Sequence, residues 1–554
     1  VAAALLVLAW IPYGIGFRKD SSSSQFMGLI CADCIDDNNV YLGLMRQAAE
    51  GRFLFTNNFT SEPNPPALFN LIYLVLGRIA GWTGWSVAFV HLLFGGFSIV
   101  LLVLLAYRFI ATAVRKPVYR RLALVLACFG MGLLWMARLV DRVTGVRFKT
   151  IDSWLAETSV FHTMLVYPHF VFAAGLMVGT ILLLLRADRT GRLAPAFLGG
   201  LCAAALAVSH TFEVVVLLPA AVGFLLVDGI SRGRLPSPRR WLCLALVVGL
   251  PVPMLIANSW ILRREPMWGN TVARLDFYTP DPFRLALGLG VGFFIVLLTY
   301  DGLFRADRSA GEQMAKVWVV TAFVFSYVPM FNWQFHLLNG IQIPLAILAT
   351  QGLRRTAFRA ILARRRTGAG PWWPAGLRGR RGVLAAAAAT VVVCCLSSVN
   401  LLLSYCHEAG RVQVPTYLPK EQVVALEWMS REVPREALVL STYATGNYIP
   451  RLSGQRVFIG EDKLTEAADL RMSEVAGFFG ADWSDEARLD LLRRFGVDYV
   501  FYGPAERAAG GYDPSRAPFL VPVHQEGDVR IYRVSPDAPM ISGVAGSAHP
   551  GGQP

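Results

Sequence analysis

Two adjacent carboxylates, Asp36 and Asp37, stand in the polar stretch 32–70, a short way after an apolar run at the N-terminus ends. The same stretch carries Asn38, Asn39, Tyr41, Gln47, Asn57, Asn58 and Glu62, many hydrogen-bonding groups for one loop and too polar for lipid. A carboxylate within hydrogen-bond reach of a hydroxyl can take its proton. The pair also lies shortly before VYLGLMRQAAEG, where either Asp makes a good helix cap. Both roles are compatible, because adjacent side chains point differently, and repulsion from one carboxylate raises the pKa of the other. Glu62-Pro63 and Pro65-Pro66 stop helices and stiffen the exit of the stretch. We read it as one wall of an active site at the mouth of a membrane bundle.

The elements that must hold such a wall follow from composition. The chain has 554 residues, 55% hydrophobic and only 16% charged, against about 25% in a typical soluble domain. Apolar runs near the ~20 residues needed to cross a bilayer recur at 1–17, 86–113, 120–139, 168–186, 194–208, 213–229, 241–261, 284–301, 316–331, 337–353 and 382–404. The expected fold is a multi-pass α-helical bundle of about eleven spans in a cell membrane. The net charge is +14, but the chain from Ser404 onward carries −5, which leaves +19 on residues 1–403. That surplus falls in alternate short connections: Arg115 to Arg121, Arg186 to Arg192, Arg232 to Arg240, Arg305 to Lys316, and Arg354 to Arg381. By the positive-inside rule these face the cytoplasm, as does the N-terminus. The connections 18–85, 140–167, 209–212, 262–283 and 332–336, and the chain after 404, then face outward. The basic clusters lie between apolar runs without interleaved stacking aromatics, so nucleic acid is not an expected partner. The chain begins inside an apolar run, which suggests that part of a cytoplasmic N-terminus precedes Val1.

Ionisable groups gather at the outward ends of these runs: Glu157 and His162 in the second outer loop, then His169, His210, Glu213 and His336. The pair of runs from 194 to 229 has basic residues on both flanks, so it goes out and returns, yet each leg has about fifteen residues. Its tip, Ser209 to Glu213, is expected to stop within the outer half of the membrane. His210 and Glu213, three apart, share a helical face. Charged groups at that depth are functional candidates, and equally form pairs that satisfy each other between helices.

After 404 the pattern changes to a small α/β domain spanning 405–536. Helical runs at 420–432, 462–478 and 485–495 alternate with strand-like runs at 437–441, 456–459, 498–502, 519–524 and 529–534. It has no Gly-rich phosphate fingerprint and no nucleophile elbow. The polar turn from Ser441 to Tyr448 either faces substrate or is an ordinary strand-to-helix loop. Residues 537–554 read as a disordered tail, and Trp372 and Trp373 in 354–381 as interfacial anchors. Cys31 and Cys34 form a C-x-x-C beside the acid pair; a disulfide is possible if that loop faces an oxidising compartment.

Several separated pieces resemble the GT-C fold class of bacterial polytopic membrane glycosyltransferases, related in type to protein O-mannosyltransferases, aminoarabinose transferases and oligosaccharyltransferases. They are D-D-N-N-V-Y-L…R-Q…F-T-N…T-S-E-P in the first outer loop; Ala156-Glu157, Phe161 and Tyr167-Pro168-His169-Phe170; His210-Thr211-Phe212-Glu213; and Phe335-His336 with Asn339-Gly340 and Ile343-Pro344-Leu345. G-V-D-Y-V-F-Y-G-P resembles the outward domains of such enzymes. Order and sidedness carry the resemblance. It also implies an Arg near Gln334–His336, which this chain lacks.

The resemblance implies a polyprenyl-phosphate sugar donor, a glycan, lipid or protein acceptor, and an inverting transfer on the outer membrane face. The lipid phosphate leaves as a stable anion without a general acid, while the acceptor hydroxyl must lose a proton. Asp37 is the first candidate base and Asp36 the second. Glu157 is the second acid, orienting the sugar or helping Asp37 and His169 to hold Mg²⁺ or Mn²⁺. Tyr41, Asn39 and Glu62 are candidate substrate contacts, with His210, Glu213 and His336. His169 either donates to the phosphate or snorkels to the interface; Arg263 and Arg264 either clamp the phosphate or meet lipid headgroups. The alternative function is a lipid-linked glycan flippase or transporter, or a ligase-type protein of envelope polysaccharide assembly. A transporter needs a polar path to the cytoplasm, and the inward halves of the runs read as uniformly apolar.

Overall fold

The structure, a computed structural model, describes residues 1–330, 332–367 and 380–535. Helix α1 (Ala2–Arg18) leads into strand β1 (Ser24–Phe26) and then α2 (Ile35–Ala49) and α3 (Leu71–Thr83). The stretch 18–85 is therefore not loop throughout: α2 carries the acid pair, and the apolar α3, too short to have counted as a span, packs along it. A Cβ at Gly77 of α3 would lie 2.2 Å from the Met45 carbonyl of α2, so this crossing requires glycine. The bundle continues through α4 (Val87–Ala113), α5 (Pro117–Phe129), α6 (Leu134–Thr144), α7 (Val160–Val166) and α8 (Pro168–Thr190). Next come α9 (Leu193–Ala207), α10 (Phe212–Ser231), α11 (Pro238–Gly249), α12 (Val252–Arg264) and α13 (Pro266–Ala273). The last members are α14 (Pro282–Thr299), α15 (Ala310–Tyr327), α16 (Gln342–Thr367) and α17 (Arg380–Gly410).

Each apolar run is mainly helical among the described residues, and the chain is a membrane protein. Among the described residues six helices are long and apolar enough to cross a bilayer, α11 and α12 counting as one; the number is seven if α5 and α6, bent by 55°, are also one span. Helices such as α9, with 15 residues, reach only about 22 Å, short of the ~30 Å hydrocarbon core. The second leg of the expected short hairpin is longer than its apolar run. α10 extends to Ser231 because Asp228, near its end, is paired with Arg232 (2.6 Å) and Arg240 (2.8 Å). The Arg-rich end of the bundle is also not uniformly apolar. Asp301 accepts from Lys316 and Arg308, and from Arg355 at 2.9 Å, while Glu312 also meets Arg355. Lys316 and Glu312 are buried there, tying the α14–α15 connection to α16.

The chain leaves α17 into strand β2 (Tyr417–Pro419), which pairs antiparallel with β1. After α18 (Lys420–Glu432) come β3 (Leu438–Leu440), the short α19 (Tyr443–Gly446) and α20 (Ile449–Leu452), and β4 (Arg456–Val457). Then follow α21 (Ala468–Phe479), α22 (Asp485–Phe495), β5 (Tyr499–Tyr502), α23 (Pro504–Ala509), β6 (Leu520–Glu526) and β7 (Val529–Val534). Five strands form one sheet in the order β4-β3-β5-β7-β6, with β3 parallel to β4 and β5, and β7 antiparallel to β5 and β6. The α/β reading holds, with α18 and α22 at their expected positions. The tail from 537 and the Trp372–Trp373 pair lie outside the described residues.

The α/β domain is not an appendage. Met45 of α2 and Ile72 of α3 share one apolar core with Leu426 and Met429 of α18, Phe501 of β5 and Ile531 of β7. Polar ties surround that core. Arg46 donates to the Leu452 carbonyl (2.7 Å) and Ser430 (2.7 Å), Asn58 to the Gly454 carbonyl (3.1 Å) and Asn57 to the Leu464 carbonyl (2.8 Å). Buried polar groups joined in this way hold two bodies in one register.

Candidate functional site

Asp36 and Asp37 occupy the first turn of α2, and neither is its cap: the residue before the helix is Cys34, joined to Cys31 in a disulfide. Both carboxylates face the positive end of the helix. Successive helical residues diverge by about 100°, so the two side chains go to different partners. The Tyr167 hydroxyl, at the entry to α8, donates to Asp37 Oδ2 at 3.1 Å. The Tyr443 hydroxyl, at the start of α19, donates to Asp36 Oδ2 at 2.7 Å. Burial raises the Asp37 carboxyl to about 6, against the lowering effects of the Tyr167 hydrogen bond and the His336 charge. Burial also raises Asp36, with the Tyr443 hydrogen bond opposing and the charge of Asp462 adding.

Around this pair the folded chain gathers residues from six segments. Glu157 Oε1 meets His336 Nδ1. The His336 ring stacks on Phe212 at 4.6 Å between centroids and lies 5.6 Å from Phe170, which in turn packs on His210 at 4.5 Å. His210 Nδ1 lies 2.6 Å from Glu213 Oε2, and Asn339 donates to the other carboxylate oxygen at 2.6 Å and to the Phe170 carbonyl at 3.0 Å. The His169 ring stands 5.4 Å from that of His210 and 4.4 Å from that of Tyr41. Tyr41 stacks on Tyr73 at 5.2 Å, and its hydroxyl is pushed up by burial and then by the charges of Asp37, Glu461 and Glu157. Asp37, Tyr41, Glu157, His169, His210, Glu213 and His336 thus form one contiguous cluster, although they lie almost 300 residues apart in sequence. It sits where α8 and α10 begin; both helices end among the arginines of the opposite end of the bundle.

Four expected site residues lie elsewhere. Asn39 faces away from the cluster and accepts from the buried Arg451 at 2.9 Å. Glu62 accepts from Thr60 and from Arg471 at 2.7 Å, tying the first loop to α21. Arg263 and Arg264 are exposed at the end of α12, with the Arg264 guanidinium 4.2 Å over the Trp260 ring. The expected metal set is not assembled either. Asp37 accepts from Tyr167, Glu157 meets His336, and the His169 ring packs on Tyr41. Among the described residues no three His, Cys, Asp or Glu side chains converge to hold a metal ion.

Two contributors come from the α/β domain and were not singled out from sequence. Tyr443 belongs to the polar turn from Ser441, and its hydroxyl brings that turn to Asp36. Glu461 is buried, and its carboxyl is raised well above the usual range by burial, by a hydrogen bond with Asp462 and by the charge of Asp37. The signal for it was a second acid pair, Glu461-Asp462, echoing the first. Asn339 and Tyr167 stood within the quoted motifs with no role attached.

Comparison with known proteins places this architecture. No family model matches the chain, and no curated protein matches it in sequence. Solved structures do match in fold. The Archaeoglobus fulgidus oligosaccharyltransferase tethered to an acceptor peptide superposes with a TM-score of 0.55 at 12% identity, over 90% of this chain and 69% of that one. ArnT from Cupriavidus metallidurans, bound to undecaprenyl phosphate, superposes with a TM-score of 0.51 at 13% identity, over 96% of both chains. The arabinofuranosyltransferase AftD from Mycobacteria gives a TM-score of 0.50 at 14% identity, over 96% of this chain and 40% of that one. All three are glycosyltransferases of one membrane class, and the fold of this chain is theirs, the GT-C fold.

Proposed function

We propose that this protein is a membrane glycosyltransferase that moves a sugar from a polyprenyl-phosphate donor to an acceptor hydroxyl, with inversion, and that Asp37 is the base. The observation that carries the reading is Asp37 itself: a carboxylate raised to about 6, held by Tyr167, at the centre of a ring of imidazoles and phenols at one mouth of the bundle. The fold supports it, since a neighbouring structure holds undecaprenyl phosphate and another an acceptor peptide.

In the proposed reaction the acceptor oxygen attacks the anomeric carbon from the face opposite the phosphate. As the new C–O bond forms, the hydroxyl proton passes to Asp37, and the bond from the anomeric carbon to phosphate oxygen breaks. Polyprenyl phosphate leaves with the bonding electrons, and one displacement inverts the centre. Asp37 is well matched to this task, because a base with a pKa near the working pH is both ionised and strong enough. His169, His210 and His336 are the donors offered to the phosphate. Glu157 holds the His336 ring by its Nδ1, as a carboxylate orients an imidazole. Glu213, whose two oxygens are taken by His210 and Asn339, anchors the tip of the α9–α10 hairpin and orients His210 rather than meeting sugar.

The loop charges support the N-terminus inside and the site with the α/β domain outside the cytoplasmic membrane. The decisive experiment is turnover. The purified protein in detergent is given polyprenyl-phosphate pentoses and hexoses, and sugar release or transfer is followed. Turnover of one donor is expected; none with any donor would overturn the transferase reading in favour of a lipid-linked glycan flippase.

A further inference from the structure

We infer that Tyr443, carried by the α/β domain, is a positioning residue for Asp36, so that the acid pair of the candidate site is set from two separate bodies. This rests on the glycosyl-transfer reading above. The membrane bundle supplies one phenol, Tyr167, to Asp37, and the α/β domain supplies the other, Tyr443, to Asp36. Each phenol takes one carboxylate oxygen, and among the described residues no hydrogen bond reaches the second. Hydrogen bonds to a charged acceptor are the strong ones, and they hold a carboxylate in one rotamer. With its side chain tied toward the α/β domain, Asp36 cannot swing beside Asp37 to share its proton or block the approach of an acceptor.

The turn that carries Tyr443 is built to be rigid. Glu506 of α23, fully buried, accepts from the backbone N–H of Thr442 at 2.9 Å and from its hydroxyl at 2.8 Å. The other Glu506 oxygen accepts from the Gly503 N–H at 3.0 Å, so the acid that anchors the turn is itself fixed. One turn later, Gly446 lies against the Ile459 carbonyl, where an added Cβ would sit at 1.9 Å. Asn447 closes the turn by donating to the Tyr443 carbonyl at 3.2 Å. The next connection, after β4, brings in Glu461, whose pKa responds to the charge of Asp37. The α/β domain thus reaches the acid pair along two adjacent segments, with the Tyr443 ring packed against the domain's own core, which includes Phe458 and Ile459.

The test is a double-mutant cycle read in kinetics. Wild type, Tyr443→Phe, Asp36→Ala and the double variant are compared with the polyprenyl-phosphate sugar that the wild type turns over. Tyr443→Phe keeps the ring and its packing and removes one hydrogen bond to a charge. It is expected to lower kcat roughly ten- to a hundredfold with KM for the donor unchanged. In the Asp36→Ala background the same change is expected to cost nothing further. Tyr448→Phe, whose hydroxyl meets the Pro415 carbonyl within the same domain, is expected to keep wild-type kcat. An active wild type with an unaltered Tyr443→Phe, or losses that multiply across the cycle, would overturn the inference alone. A wild type that turns over no donor would overturn the transferase reading, and this inference with it.

Discussion

Tyr167 and Asp37, 130 residues apart in the chain, meet through a 3.1 Å hydrogen bond from the phenol to Oδ2. That contact joins the first turn of α2 to the entry of α8, and among the described residues no hydrogen bond reaches the other Asp37 oxygen.

If Asp37 is the base, Asp37→Asn should fold and bind the lipid-linked donor but lose transfer by about 10²–10⁴-fold, the usual worth of a general base. Asp36→Asn should lose less. Both positions lie inside the first turn of α2, so the substitutions leave the start of the helix intact. Donor binding measured beside transfer separates chemistry from folding; full turnover by Asp37→Asn would move the assignment to Asp36 or Glu157.

The rate should depend on pH through the same group. Burial raises the Asp37 carboxyl to about 6, so it is ionised above that pH and protonated below it. Activity is therefore present above about 6 and lost about tenfold per unit below it. Tyr167→Phe removes a hydrogen bond that lowers this pKa, so the acid limb should move to higher pH. Profiles of kcat/KM for the two proteins check the shift; limbs that coincide away from 6 would exclude Asp37 as the titrating base.

Sidedness can be read directly. Ser515 lies on an exposed turn of the α/β domain. A probe thiol at this position, Ser515→Cys, should react in intact cells with a labelling reagent that cannot cross membranes. Labelling only after permeabilisation would reverse the proposed orientation.

Arg451 should matter for stability. It is buried, donates to Asn39 and to the Met27 carbonyl, and joins α20 to the first loop. Burial lowers its pKa to about 10, which leaves it charged at neutral pH. Arg451→Met strands the Asn39 oxygen and should cost about 1–3 kcal/mol. Thermal unfolding in detergent should show the loss, while turnover per folded molecule stays close to wild type.

The sequence alone implied the membrane bundle, because helices satisfy the backbone hydrogen bonds of apolar runs in lipid. It determined the α/β domain too, since the change from long apolar runs to short alternating ones after 404 is a change of period, and period is local information. It also singled out most of the residues that the fold gathers into one cluster: ionisable groups are expensive to bury at span ends, so Asp37, Glu157, His169, His210, Glu213 and His336 stood out before any fold was known. Tertiary structure alone decided which of them meet. Asn39 and Asp37 are two residues apart on α2, yet one faces Arg451 and the other Tyr167, because the helix turns them to opposite neighbours. Glu62, a candidate substrate contact, pairs with Arg471, a contact across 409 residues that no local pattern encodes. Tyr443 and Glu461 reach the acid pair only because β1 pairs with β2 and the two parts of the chain share a core. A contact between distant segments is fixed by packing geometry, and packing geometry is a property of the folded whole.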